Sequence, residues 1–202
     1  MNSPFGLWVV LAALLGALVG YRLNRLTQYP AVALVSAVLS ALLVAFMGPQ
    51  SLTLCALSLL WALQALVLID LKSQLLPDRI TLPLIWAGLL VNSVGGFTDL
   101  HSALWGAVAG YGFLWALYWG YWWLTRREGM GFGDFNLMAA LGAWLGWQAL
   151  PSILLMASLS GLLVGGFWLW RRGQALATPI PFGPFIAAAG YGAMLMRKGG
   201  LW

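Results

Sequence analysis

Charge is what this chain lacks. Asp, Glu, Lys and Arg make up only 7% of its 202 residues, against 62% hydrophobic, and the mean hydropathy is +0.88. A soluble domain of this length needs a polar skin, which this composition cannot supply. The expectation is an integral membrane protein. Cysteine and histidine are scarcer still, with Cys55 and His101 the single examples of each. One cysteine excludes a disulfide framework and any CxxC metal site. A lone histidine with no matched serine or cysteine makes a nucleophilic triad poor, and no HExxH stretch is present. No metal site is expected. Cys55 reads as a small buried hydrophobe in an apolar run, and His101 as a solvated loop residue. The net charge of +5 would suit nucleic acid, but the bases are thinly scattered at the ends of apolar runs. Topology explains them, and no nucleic-acid partner is expected.

What is present is a series of charge-free runs: 1–21, 26–69, 80–98, 102–125, 135–170 and 173–196. A spanning helix needs about 20 apolar residues. The second run divides at MGPQS, Met47–Ser51, and the fifth at GWQALP, Gly146–Pro151. The reading is all-α, with about eight transmembrane helices near 5–22, 31–47, 52–71, 80–95, 103–124, 135–149, 152–170 and 182–196. The first run is expected to remain as a helix, not a cleaved signal, because Arg22 and Arg25 follow its apolar segment.

Numbering the loops alternately puts 22–30, 72–79, 125–134 and 171–181 on one side. These hold every basic residue except Arg197 and Lys198. The positive-inside rule then places these four loops in the cytoplasm. The thirteen Trp gather near span ends, as with Trp119, Trp122, Trp144 and Trp147, and read as an interfacial belt. Gly106 and Gly110 have a spacing that packs helices. No soluble domain, linker or strong repeat is seen, so residues 1–202 read as a single transmembrane domain.

The acids are few enough to weigh singly. Asp78 follows Pro77 and suits an N-cap. Asp99 reads as a loop acid or cap, and Glu128 as a surface partner of Arg126 and Arg127. Asp134 follows GMGFG and opens the sixth helix, where capping is an open alternative. Asp70 ends LWALQALVLID at a helix C-terminus, where the macrodipole disfavours an anion. An acid at membrane depth is a functional candidate by default. Two aspartates sharing a proton make one acid and one base, which suffices for peptide hydrolysis without metal, serine or cofactor. Helix dipoles suggest Asp134 as base and Asp70 as acid. Gly129, Gly131 and Gly133 would let the backbone take positive φ and lie close to an extended substrate, while a flexible turn explains the same spacing.

These residues resemble a known family, the type IV prepilin peptidases or prepilin leader peptidases, membrane aspartic proteases of the GxGD kind. Three blocks carry the likeness: LIDLKSQLLPDRITLPLIWAGLLVN (Leu68–Asn92), EGMGFGDFNLMAALGAWLGWQALP (Glu128–Pro151) and IPFGPFIAAAG (Ile180–Gly190). With the helices between, they cover roughly residues 50–195, preceded by N-terminal helices over 1–48. The resemblance implies that Asp70 and Asp134 are the catalytic pair. It implies cleavage of the basic leader of type IV prepilins or type II secretion pseudopilins, at the cytoplasmic face of the bacterial inner membrane. The bilayer and such a substrate are the partners implied. The peptidase needs no cofactor; S-adenosylmethionine enters only if the family's methylation of the new N-terminus is retained. Two departures stand out. Fuller members carry a long segment with CxxC pairs between the first two helices, where this chain has only YRLNRLTQYP. The family usually has lysine two residues after the GxGD aspartate, where this chain has Asn136. A transporter or channel, or a non-catalytic scaffold of a secretion complex, is the rival reading. Oligomeric state is not legible from the sequence.

Overall fold

The computed structural model describes residues 4–27, 31–126, 130–172 and 180–198. Among them there is no strand, and every apolar segment expected to be a helix is one. The order is α1 (Pro4–Thr27), α2 (Val32–Met47), α3 (Ser51–Ser73), α4 (Asp78–Ser93), α5 (Leu100–Thr125) and α6 (Phe132–Leu145). A short 3₁₀ turn (Trp147–Ala149) leads into α7 (Leu150–Ser160), a π-turn (Gly161–Gly165), α8 (Gly166–Arg171) and α9 (Gly183–Lys198). The stretches Phe5–Arg25, Ser51–Ser73 and Trp147–Trp168 are long and apolar enough to cross a membrane, and Val32–Met47 and Gly183–Met196 are shorter apolar helices. Large apolar side chains such as Leu14, Leu34, Trp86, Leu124 and Leu162 stand exposed. In water such a surface would aggregate; in lipid it is solvated. The chain is an integral membrane protein.

α6 is the hub. From Asp134 to Leu145 every residue but Asn136 is buried. A helix apolar all round has no solvent face and belongs inside a bundle. It packs against α4, α5 and α9. The approach of α5 depends on glycine. A Cβ on Gly106 would collide with the Gly142 carbonyl, and one on Gly110 would lie 2.6 Å from the Met138 oxygen. With lipid as apolar as leucine, such close backbone packing is a main source of helix association. The expected helix-packing role of Gly106 and Gly110 holds.

α4 is tied to α6 by hydrogen bonds. Buried Asn92 donates to the Ala143 and Trp144 carbonyls, at 2.7 and 3.1 Å. Its Oδ1 accepts from the amides of Phe97 and Thr98, at 2.7 and 3.0 Å. Trp144, expected in the interfacial belt, is buried instead. Its Nε1 donates to the Leu84 carbonyl at 2.8 Å, and its ring lies where Gly88 has no side chain. Exposed Trp86, Trp105, Trp123 and Trp170 face outward. Cys55 is half-buried against the core.

Helix ends correct two further expectations and bear out a third, the cap reading of Asp99. α6 begins at Phe132 and ends at Leu145, because Gly146 at φ 84° stops it. His101 lies within the first turn of α5, not in a loop, and accepts from Trp105 Nε1 at 3.0 Å. Asp99 is the N-cap of α5, and its carboxylate accepts from the Ser102 amide at 2.8 Å. That bond holds Asp99 below the usual carboxylate range.

Candidate active site

Asp70 takes a core position on α3. Leu59, Leu63 and Leu66 precede it along the buried side of the helix, and Asp70 is the next in that stripe at 5% exposure. Its backbone is held as well. Gln74 closes α3 in the left-handed conformation, at φ 53°, and its amide donates to the Asp70 carbonyl at 2.8 Å. Oδ2 of Asp70 is buried without a hydrogen-bond partner among the described residues. Such an atom is costly unless another group completes it.

Asp134 is the third residue of α6, at 7% exposure, and its amide donates to Gly131 at 3.2 Å. The N-cap is Gly131, so the capping alternative for Asp134 does not hold. Asp70 and Asp134 lie 64 residues apart in sequence and line one cavity of about 720 Å³. Leu76, Asp78, Gly131, Phe132, Gly133 and Phe182 are among its walls. The site therefore sits where the C-terminus of α3 meets the N-termini of α6 and α9. Both N-termini bring the positive ends of their dipoles to it.

The glycines act differently from expectation. Gly131 has φ −79°, and Gly133 lies inside α6, so neither uses positive φ. No extended edge runs through them, because the helix starts at Phe132. Gly133 is needed for packing: a Cβ there would lie 2.6 Å from that of Leu76. The bare position lets the loop after α3 close over the start of α6, which brings the two aspartates together. Gly129 and Glu128 lie outside the described residues.

Two features escaped the sequence reading. Gly183 opens α9, and a Cβ on it would come 2.6 Å from Asp70 Oδ2. The third aspartate of the region, Asp78, is the first residue of α4, with Pro77 as its N-cap. It accepts instead from Asn136 Nδ2 at 2.8 Å through Oδ1. Two residues after Asp134, Asn136 thus links α6 to α4 beside the cavity. Among the described residues no three His, Cys, Asp or Glu side chains converge as metal ligands would.

Residues 57–166, more than half the chain, match the model of the type IV leader peptidase family. The chain is 49% identical over 194 residues to a prepilin leader peptidase/N-methyltransferase of Aeromonas hydrophila, covering 96% of this chain and 66% of that protein. It is 48% identical over 163 residues to one of Burkholderia pseudomallei (strain K96243), covering 81% and 53%. With one of Pseudomonas aeruginosa it shares 47% identity over 168 residues, covering 83% and 58%. The chain thus spans just under two thirds, or less, of these relatives' lengths. No solved structure matches it. Matched over these residues, and at this identity, the chain belongs to the type IV leader peptidase family.

Proposed function

We propose that this chain is a membrane aspartic endopeptidase. It removes the basic leader of type IV prepilins or type II secretion pseudopilins, with Asp70 and Asp134 as its catalytic pair. The observation that carries the reading is their meeting in one cavity, both nearly buried, at one end of the bundle. Family membership and the relatives' names support the same activity. The reading takes eight crossings, with α7, the π-turn and α8 as one, and that end at the cytoplasmic face of the inner membrane. The arginines fit this: Arg25, Arg126, Arg171 and Arg172 each stack over an aromatic ring at the C-terminal end of a helix, 4.0 to 5.7 Å from its centroid. Cationic groups capped by aromatics suit the boundary of membrane and water.

The chemistry needs only the pair and one water. The carboxylate form takes a proton from water as its oxygen bonds to the scissile carbonyl carbon. The protonated partner hydrogen-bonds the carbonyl oxygen, then a proton passes to the leaving nitrogen as the C–N bond breaks. The pair ends with the single proton it began with. The first amides of α6, at Phe132 and Gly133, have no intrahelical partner and offer donors at the cavity. Asp70 Oδ2, buried without a hydrogen-bond partner among the described residues, would meet water or substrate as the site opens around it. Gly131 and the neighbouring walls lie close to a bound backbone.

A transporter reading fits less well. Both acids sit at one end of the bundle, whereas coupling sites lie near the midplane. The family and the relatives favour neither transport nor a scaffold. Co-expression with a prepilin tests the proposal. Wild type should shorten it by its leader, and Asp70→Asn and Asp134→Asn should not. Shortening by either variant would remove that residue from the pair. The relatives' names also include N-methyl transfer, which would draw on S-adenosylmethionine. A product heavier by one methyl group would extend that activity to this chain.

A further inference from the structure

The cavity of the aspartate pair has a third acid in its walls and no described base. Asp70, Asp78 and Asp134 all line it, and no Lys, Arg or His is among its described walls. The chain has only five acids, so one cavity takes most of them. Asp70 and Asp134 are nearly buried. Asp78, the first residue of α4, is exposed and lies toward the open side. Asn136 Nδ2 donates to Asp78 Oδ1 at 2.8 Å. An amide is a neutral donor, so it fixes this carboxylate and leaves its charge uncancelled. Asp70, on the same cavity, has its Oδ2 buried without a hydrogen-bond partner among the described residues. Such an oxygen is costly until a donor reaches it. The three acids do not converge as metal ligands would. A cationic group with several donors fits this setting, and an ammonium carries three.

Peptide hydrolysis makes such a group inside this cavity. The water oxygen bonds to the carbonyl carbon and the C–N bond breaks, which leaves a carboxylic acid and an amine. An α-carboxyl ionises at about pH 3.5 and an α-amine at about pH 8, so at neutral pH the proton passes from the first to the second. One product then ends in a carboxylate, and the other begins with an ammonium. Walls that carry only negative charge repel the former and attract the latter. An exposed carboxylate alone holds a cation weakly. Here the ionised member of the pair acts on the same ammonium.

We propose that the cavity retains the downstream product by its new N-terminal ammonium, held by Asp78 together with the aspartate pair, while the upstream product leaves first. The inference rests on the peptidase reading and adds to it an order of release and the residue that sets it. A basic side chain of the substrate offers the same chemistry but has to enter from outside. The new ammonium forms at the pair itself and needs no path into the site.

The test uses the purified full chain in detergent, a leader peptide that it cleaves, and the two halves of that peptide as product inhibitors. The downstream half with a free N-terminus should inhibit at a concentration at least about tenfold lower than the same half N-acetylated, as for a lost hydrogen bond to a charged group. Asp78→Asn should bring the two inhibition constants together, and Asp78→Glu should keep them apart. Equal constants in the wild type, or a difference that Asp78→Asn leaves in place, would overturn the proposal. So would inhibition by the leader half that disappears when norleucine replaces its lysines, because the charge would then serve the leader's bases. If Asp78→Asn does not yield folded, active protein, a water-soluble carbodiimide on the wild type replaces it. The reagent activates a carboxyl, and a bound amine displaces it to form an amide. With the free-amine half present, peptide mass on Asp78 supports the proposal, and its absence from Asp78 overturns it. A wild type that cleaves no leader peptide defeats the peptidase reading itself. Cleavage with equal inhibition by both forms of the downstream half defeats this inference alone.

Discussion

Asp70 continues a leucine stripe with a carboxylate, and its Oδ2 has no partner among the described residues. A backbone donor beside the carboxyl is the Gly183 amide. Gly183 belongs to the same local arrangement. Gly183→Ala would drive a Cβ against Oδ2 and turn the carboxyl. Cleavage should fall by about a hundredfold, the size of effect that an ångström of misplacement gives, while the unfolding temperature changes little. Equal losses of folding and rate would make Gly183 a packing residue only. Asn136 is the second test at this scale. Asn136→Leu removes the bond to Asp78 and should slow cleavage about tenfold, as for a lost hydrogen bond to a charged group. Asn136→Lys supplies a cation to the same carboxylate and should keep the rate near wild type. A rate unmoved by Asn136→Leu would show that the link positions nothing. Asp70 and Asp134 were legible in the sequence, because an acid is conspicuous at the end of an oily helix or after a glycine motif. Gly183 and the Asp78–Asn136 bond were not. Each is a contact between distant segments, and neither residue type is unusual where it stands.

At the scale of helices, α6 explains the misreadings. Its apolar residues spread around the whole circumference, so no face marked Trp144 as buried rather than interfacial. The break at Gly146 was legible; the start of the helix was not, because GMGFGD reads as loop until Leu76 is seen packed on Gly133. Gly131 and Gly133 were therefore noticed for the right place but given a positive φ that neither adopts. The pairing of α5 with α6 was visible as Gly106 and Gly110 alone, without their partner Gly142. Gly106→Leu forces the helices apart and should cost about 3 kcal/mol by overpacking, read as a lower unfolding temperature in detergent. Asn92→Leu should cost a similar amount, about 3 kcal/mol, by stranding two amides at the turn after α4. Stability unchanged in both would mean that α6 is not held by α4 and α5 as described.

For the molecule as a whole, composition pointed to a membrane protein and the charge-free runs to helices. The bringing together of α3, α6 and α9 at one end was beyond composition, because it depends on contacts between distant segments, Asp70 and Asp134 being 64 residues apart and Asp70 and Gly183 113. On the proposed mechanism, two buried carboxylates at that end share one proton. The cleavage rate should then rise and fall with pH as a bell, since both the fully protonated and the doubly ionised pair are inactive. A single ionisation across the range would remove one aspartate from the chemistry. The most direct test is kinetic, on purified protein cleaving a leader peptide, for wild type, Asp70→Asn, Asp134→Asn and the double variant. Residues that act as a unit do not add. Each single variant should lose at least about a thousandfold in rate, and the double variant no more than either. A single variant that keeps a tenth of the wild-type rate, or losses that multiply in the double, would contradict the shared site.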